Sequence, residues 1–179
     1  KEQKMSRKPL LNLAWIAALL LGLLFGALPT GIVSADSGST VSAAKLAQLD
    51  KAYLTQVKEL AYQKELLEYA RNRLEIVLDI QSGYNKTDAA YNTLQWNINH
   101  LNTYIATAET AIAKADRLLK DHKGFEIEGS GFKVRISKVT DGSAAEAAIK
   151  SATEQISLSG TNLRRAMRVM KKLIKEYEG

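Results

Sequence analysis

The sequence predicts an all-α fold, an elongated antiparallel three-helix bundle with a small β-hairpin between helices 2 and 3. Only two Pro and 11 Gly occur among 179 residues, which permits long uninterrupted helices. Apolar residues recur in alternating steps of three and four along three stretches of the chain. Between the second and third stretches the period changes to two, which is typical of strands. We expect one domain over residues 36–179, with the hairpin at about 125–139.

Residues 1–35 are predicted to form a signal peptide. Arg7 and Lys8 precede an apolar run over residues 10–28, and a triplet of small residues ends at Ala35. This layout predicts cleavage after Ala35 and an exported protein, whether periplasmic, at the cell surface or secreted. The alternative is an uncleaved membrane anchor, because the run is about 19 residues long and a span needs about 20.

The formal charge of +6 is unevenly distributed. Residues 1–35 carry a net charge of +3, residues 36–160 carry −1, and residues 161–179 carry +4. The chain has no Cys, which excludes disulfides, thiolate nucleophiles and Cys-based zinc sites. The cationic character of the exported chain therefore lies in its last helix.

The first helix is predicted over about residues 40–81, the second from an N-cap at Thr87, and the third from a capping box formed by Ser143 and Glu146. Helix 3 repeats the heptad spacing of helix 2 from Ala145 to Tyr177, with Ser159 as its only polar residue. An intermolecular coiled coil, and hence a homo-oligomer, is the alternative, because a heptad seam does not say whose helix fills it. The seam of helix 2 comprises Leu94, Ile98, Leu101, Ile105, Ala108, Ile112, Ala115 and Leu119. The apolar face of helix 1 comprises Leu46, Leu49, Tyr53, Val57, Leu60, Leu67, Leu74 and Leu78.

Two short runs of alternating residues predict the hairpin. They flank Gly129-Ser130, a pair that suits a two-residue type II′ turn. We expect the apolar face of the hairpin to pack on the side of the bundle, because a lone hairpin is marginal in water. This turn pairs Ile127 with Phe132, Phe125 with Val134, and Glu126 with Lys133.

Two short motifs flank this hairpin. His122-x-Gly124-Phe125 closes the second helix, and Val139-Thr140-Asp141 leads into a third helix that is Ala-rich and then Arg-rich. With this order of parts the chain resembles a loose group of exported helical-bundle proteins of unknown function from environmental bacteria. The resemblance implies an exported bundle and no particular activity. The hairpin after Phe125 departs from the shorter loop of that group.

The most distinctive chemical feature is a basic face on the last helix. Its six cations fall within an arc of about 120° when plotted at 100° per residue. Such a face favours anionic lipid or an anionic wall polymer as a partner. Nucleic acid is disfavoured, because no aromatic residues alternate with the cations. The alternative is a solvated face that complements the helix dipole. The basic face consists of Arg164, Arg165, Arg168, Lys171, Lys172 and Lys175.

Trp96, Tyr62 and Tyr69 are candidate protein contacts on the outer faces of helices 2 and 1. An outward Trp is typical of binding hot spots. The favoured alternative is that the apolar face of the hairpin covers Trp96, and that Tyr62 and Tyr69 contact a neighbouring helix.

No motif indicates catalysis. His100 and His122 lie far apart, and the sequence contains no HExxH, GxSxG, P-loop or dinucleotide fingerprint. We therefore expect a protein that is not an enzyme and holds no cofactor or metal. The expected function is a structural or protein-interaction role at the cell envelope, with an unknown protein or envelope component as partner. The alternative is peripheral binding of anionic membrane or wall polymer through the basic face.

Overall fold

The heptad spacing produces three long helices that pack against one another, as the computed structural model shows for residues 41–177. The predicted signal peptide and its cleavage site lie outside these residues. The predicted fold class, a helical bundle with a hairpin between the second and third helices, is confirmed. The helices are α1 (Ala43–Ser82), α2 (Ala89–Lys120) and α3 (Gly142–Tyr177).

Ion pairs between α1 and α2 show that these helices are antiparallel. Lys64 pairs with Asp116 at 2.6 Å and Arg71 pairs with Glu109 at 2.7 Å. A step of seven residues forward on α1 therefore matches a step of seven residues back on α2. At 1.5 Å per residue, α1 is about 60 Å long, so the bundle is elongated.

The predicted seams of α2 and α3 fill the core. All eight seam residues of α2 are buried, as are the nine seam residues of α3 from Ala145 to Leu173. On α1 one predicted residue is wrong: Leu78 is 42% exposed, whereas Val77 is fully buried. The heptad steps from Leu67 pass through Ala70 and reach Val77, which is the residue that faces the other helices. The seams of one chain thus fill one another.

Buried polar side chains set the alignment of the helices. Ser159 donates a hydrogen bond to Gln63 Oε1 at 3.3 Å, and both residues are buried. In the last turn of α1, Gln81 donates a hydrogen bond to Gln95 Oε1 of α2 at 3.0 Å. Buried polar groups need such partners, so sliding one helix past another would leave these groups unsatisfied.

The helix starts differ slightly from the predictions. The N-cap of α2 is Asp88 rather than Thr87. Before α3, the carboxylate of Asp141 accepts the backbone N–H groups of Ser143 at 2.9 Å and Ala144 at 3.0 Å. The predicted capping box is therefore replaced by Asp141, and Glu146 pairs with Lys45 of α1 instead. A carboxylate at this position is a strong acceptor for unpaired N–H groups at a helix start.

The hairpin lies between α2 and α3 but its predicted register is wrong. Strands β1 (Phe125–Glu128) and β2 (Arg135–Val139) are antiparallel and separated by a 3₁₀ turn over Gly131–Lys133. The longer loop shifts the pairing, so that Phe125 lies opposite Val139 rather than Val134. The observed pairs are Phe125 with Val139, Glu126 with Lys138, Ile127 with Ile136, and Glu128 with Arg135, with a bulge between Glu126 and Ile127.

Contacts with α1 and with the start of α3 determine this register. The backbone N–H of Ile136 donates to Asp50 Oδ1 at 2.6 Å. Gly124 O accepts the N–H groups of Thr140 at 2.8 Å and Asp141 at 2.9 Å. Gly124 has φ +82°, and a Cβ there would lie 2.3 Å from Asp141 O, so only glycine fits. The hairpin is thereby held against α1 at the end of the bundle where α3 begins.

Candidate functional site

The basic face occupies the outer side of the C-terminal half of α3. All six of its cations are exposed, while Leu163, Ala166, Met170 and Leu173 on the opposite side are buried. The apolar stripe holds the helix on the bundle and thereby orients the cations toward solvent. The charged and apolar residues of α3 thus lie on separate sides of the helix, as predicted.

These cations form no ion pair within residues 41–177, not even with Glu176, which follows Lys175 in the same helix. Within residues 41–177, the ion pairs are formed by other cations, and α3 contributes to them only through Glu146. No acidic residue occurs between Arg164 and Lys175. The positive charge of this face is therefore available to an external anion.

Trp96 lies on the outer side of α2 and is 62% exposed. Its ring stacks on His100, with centroids 4.0 Å apart, and His100 Nδ1 lies 2.8 Å from Trp96 O. The expectation that the hairpin covers Trp96 is wrong. The hairpin begins after Lys120, the last residue of α2, which lies 24 residues beyond Trp96. Along the helix axis the hairpin is therefore about 36 Å from Trp96.

Trp96 and the basic face share one end of the bundle. Gln95 contacts Gln81, which places Trp96 level with the last turn of α1. Tyr84, two residues after α1, packs edge-to-face on Tyr177 at 5.9 Å. The C-terminal turns of α3 therefore lie at this end too, which we call the loop end.

Tyr62 and Tyr69 lie elsewhere. Tyr69 is 40% exposed, and Arg73 Nε donates to its hydroxyl at 3.1 Å, whereas Tyr62 is half-buried. The Arg71–Glu109 pair places Tyr69 near the middle of α2, about 20 Å from Trp96 along the axis. The three aromatic residues predicted to make protein contacts thus form no single surface.

A cleft at the opposite end, the hairpin end, was missed by sequence reasoning. It has a volume of about 390 Å³ and lies between α1, the last turns of α2 and the 3₁₀ turn. Phe132, which the hairpin pattern predicted to be buried, is 61% exposed at this cleft. No sequence signal pointed to the cleft, because the alternating pattern places Phe132 in a strand of the hairpin. The aliphatic and Phe side chains at the cleft are Val57, Leu60, Ala61, Leu119, Ile127, Phe132 and Val134.

Charged groups border the same cleft. Asp116 accepts hydrogen bonds from Lys64 and Lys120, each at 2.6 Å. Partial burial alone would raise the pKa of Asp116, but these hydrogen bonds and the two positive charges hold it below its ordinary value. Asp116 therefore stays ionised at neutral pH, and the cluster of two Lys and one Asp has a net charge of +1.

An aromatic cluster of Tyr53, His122 and Phe125 supports the base of this end. The hydroxyl of Tyr53 lies 3.3 Å from His122 Nε2, and its ring packs edge-to-face on Phe125 at 5.2 Å. Burial raises the pKa of Tyr53 above its ordinary value. These contacts tie the hairpin and the end of α2 to α1.

In the part of the chain that the structure describes, no three His, Asp or Glu side chains are grouped so that they could hold a metal ion. Over the same residues, no helix contains an apolar stretch suited to crossing a membrane. No family model, curated protein or solved structure matches this chain. The resemblance to exported bundle proteins of unknown function therefore stays a prediction.

Proposed function

We propose that this protein is a non-enzymatic module of the cell envelope that binds an anionic surface, a lipid bilayer or a wall polymer, through the basic face of α3. The observation that carries the proposal is that all six cations are exposed and, within residues 41–177, none of them forms an ion pair. The location at the envelope rests on the predicted signal peptide, and N-terminal sequencing of protein recovered from cells tests it.

Complementing the helix dipole accounts for little of this charge. The dipole acts within the last turn of a helix, and only Lys175 lies in the last turn of α3. The other five cations begin up to three turns earlier. A solvated surface helix usually alternates charges of both signs, and this face does not.

The expected strength follows from the number of cations. Each basic residue near an anionic membrane contributes about 1 kcal/mol. From Arg164 to Lys175 the face extends about 16 Å, so several cations can contact one flat surface together. Salt screens exposed charges, with a Debye length of about 8 Å at physiological ionic strength.

The test uses the chain from Asp36 with vesicles of anionic or neutral lipid, and with an anionic wall polymer. We expect binding to the anionic surfaces at low salt and loss of binding at about 0.5 M salt. Replacing three cations, Arg165→Glu, Arg168→Glu and Lys172→Glu, should weaken binding more than about 100-fold.

The matched control carries the same change in charge on α1 and α2: Lys51→Glu, Lys58→Glu and Lys114→Glu, all at exposed positions. We expect it to weaken binding less than about tenfold, because only the overall field changes. The proposal is wrong if the unaltered chain binds none of the anionic surfaces at low salt, or if the control loses as much binding as the α3 variant.

A second candidate function, a protein contact, is favoured by the exposure of Trp96. Trp is enriched at binding hot spots, and Trp96 is the only Trp after Ala35. Its fluorescence therefore reports on one position in the chain from Asp36. Binding of a partner that shifts this emission, survives high salt and is abolished by Trp96→Ala would favour the protein contact over the anionic surface.

A further inference from the structure

The cleft at the hairpin end has the composition of a small-molecule site. Its volume of about 390 Å³ lies within the range of such sites, about 300–1,000 Å³. Most of its lining is apolar, and its residues come from α1, α2 and the hairpin. These elements are held together by the core and by the bond from Ile136 N to Asp50, so the walls do not depend on a ligand.

Phe132 forms an apolar wall of the cleft that is largely exposed to water. The ring lies in the 3₁₀ turn and is 61% exposed, although Val134 beside it is buried. An apolar ligand in the cleft would remove water from this ring and from Val57 and Ile127. Removing apolar surface from water is the main favourable term for such binding.

The polar rim of the cleft selects the charge of the ligand. Lys64 and Lys120 share the single carboxylate of Asp116, which leaves one positive charge in excess. The Lys64 and Lys120 side chains are about half and about three-quarters exposed, so Lys120 can turn to another anion at little cost. A carboxylate at the mouth of the cleft would complete this cluster.

We propose that the cleft binds a free medium-chain carboxylate, with its alkyl chain against Phe132, Val57 and Ile127 and its carboxylate beside Lys120 and Lys64. This site lies at the opposite end of the bundle from the basic face and does not depend on the proposed surface binding.

The experiment titrates decanoate, below the concentration at which it forms micelles, into the chain from Asp36 by isothermal calorimetry. We expect saturable 1:1 binding with a Kd on the order of 10⁻⁵ M. Neutral decanol should bind several-fold more weakly, because it lacks the charge and an exposed ion pair contributes up to about 1 kcal/mol. Butyrate should show no binding because it lacks the chain.

Two variants alter the site, each with a matched control. Ala61→Phe fills the cleft and should abolish decanoate binding, whereas Ala47→Phe, at an exposed position of α1 outside the cleft, should not change it. Lys120→Glu reverses the excess charge and should weaken binding at least tenfold, whereas Lys123→Glu makes the same change outside the cleft and should have little effect. Phe132→Ala, which removes an exposed ring, should weaken binding several-fold even if Ala61→Phe fails to fold.

Several outcomes overturn the proposal. One is the absence of saturable decanoate binding, and another is equal binding of decanoate and decanol. A third is a dimer of the unaltered chain that Ala61→Phe converts to monomers, because a second copy would then occupy the cleft. The variant carrying Arg165→Glu, Arg168→Glu and Lys172→Glu should still bind decanoate. Failure of the surface-binding proposal would therefore not affect the test of the cleft.

Discussion

The two ends of the bundle differ in how many of their cations are paired with carboxylates. At the hairpin end Lys45, Lys64 and Lys120 each contact a carboxylate of a helix, and both strands carry cross-strand ion pairs. At the loop end the basic face of α3 has no such pairs within the described chain, and Trp96 is exposed at the same end. Four of these pairs, those of Lys45, Lys64, Arg135 and Lys138, join different elements of the fold, whereas the cations of the basic face are presented to the outside. Residue type alone therefore does not assign a role to a Lys or Arg, because the position of nearby carboxylates decides whether its charge is paired.

The sharpest test of this contrast compares two aromatic residues. Phe125 is buried in the aromatic cluster of the hairpin end. Trp96 is exposed, and the only aromatic ring of residues 41–177 that it contacts is that of His100. Phe125→Ala should lower the free energy of unfolding by about 3–5 kcal/mol. Trp96→Ala should lower it by less than about 0.5 kcal/mol. Urea unfolding followed by circular dichroism measures both, and similar losses would contradict the contrast.

A smaller effect is expected at Asp116 in acid. Because the folded protein holds the pKa of Asp116 below its ordinary value, this group stabilises the fold above about pH 4. That contribution is lost as pH falls through the lowered pKa. Asp116→Asn should therefore cost about 1 kcal/mol at pH 7 and little at the acidic end.

The measurement is urea unfolding at several pH values between about 2 and 7. Glu154→Gln is a suitable control, because Glu154 is exposed and forms no ion pair within residues 41–177. An unchanged difference in stability between acid and neutral pH in Asp116→Asn would show that the Lys64–Asp116–Lys120 cluster does not stabilise the hairpin end.

The smallest effect concerns Tyr53 in alkali. Burial raises the pKa of its hydroxyl, so the unfolded chain ionises first as pH rises past about 10. The contribution of Tyr53 is complete below that pH and is lost as pH rises through the raised pKa. Tyr53→Phe should cost about 0.5–1 kcal/mol at neutral pH through the lost bond to His122.

Tyr53→Phe should also reduce the loss of stability above about pH 10. Tyr69→Phe, which alters an exposed hydroxyl, is the matched control and should leave the alkaline loss unchanged. If both variants behave alike, the burial of Tyr53 does not contribute to the alkaline sensitivity of the hairpin end.

The sequence predicted most of the fold and less of the candidate sites. The seams of α2 and α3 were predicted residue by residue, because heptad spacing is a local property of one helix. On α1 the choice of Leu78 over Val77 failed, since Leu78 follows Leu74 by four residues, whereas the alternation of three and four from Leu67 through Ala70 requires a step of three to Val77. The hairpin register failed because Asp50, 86 residues before Ile136, takes part in setting it.

The candidate sites divide in the same way. The basic face lies on one helix, so its residues could be found by helical periodicity. Periodicity also places Trp96 on the outer side of α2, but it does not show whether the hairpin covers this residue. The cleft could not be predicted, because it joins residues from Tyr53 to Val134 that no local pattern connects. Sequence reasoning also assigned Phe132 to a buried face that the 3₁₀ turn does not provide.

By itself, the amino-acid sequence determined where the helices run, which side of α2 and α3 is apolar, and that α3 concentrates positive charge on one side. These properties depend on spacing within about ten residues, and helical geometry converts such spacing directly into faces. The tertiary structure alone decided that the hairpin packs against α1, which cations find carboxylates, and that an open cleft remains beside Phe132. Those outcomes depend on distances between elements far apart in the chain, which only the packed core sets.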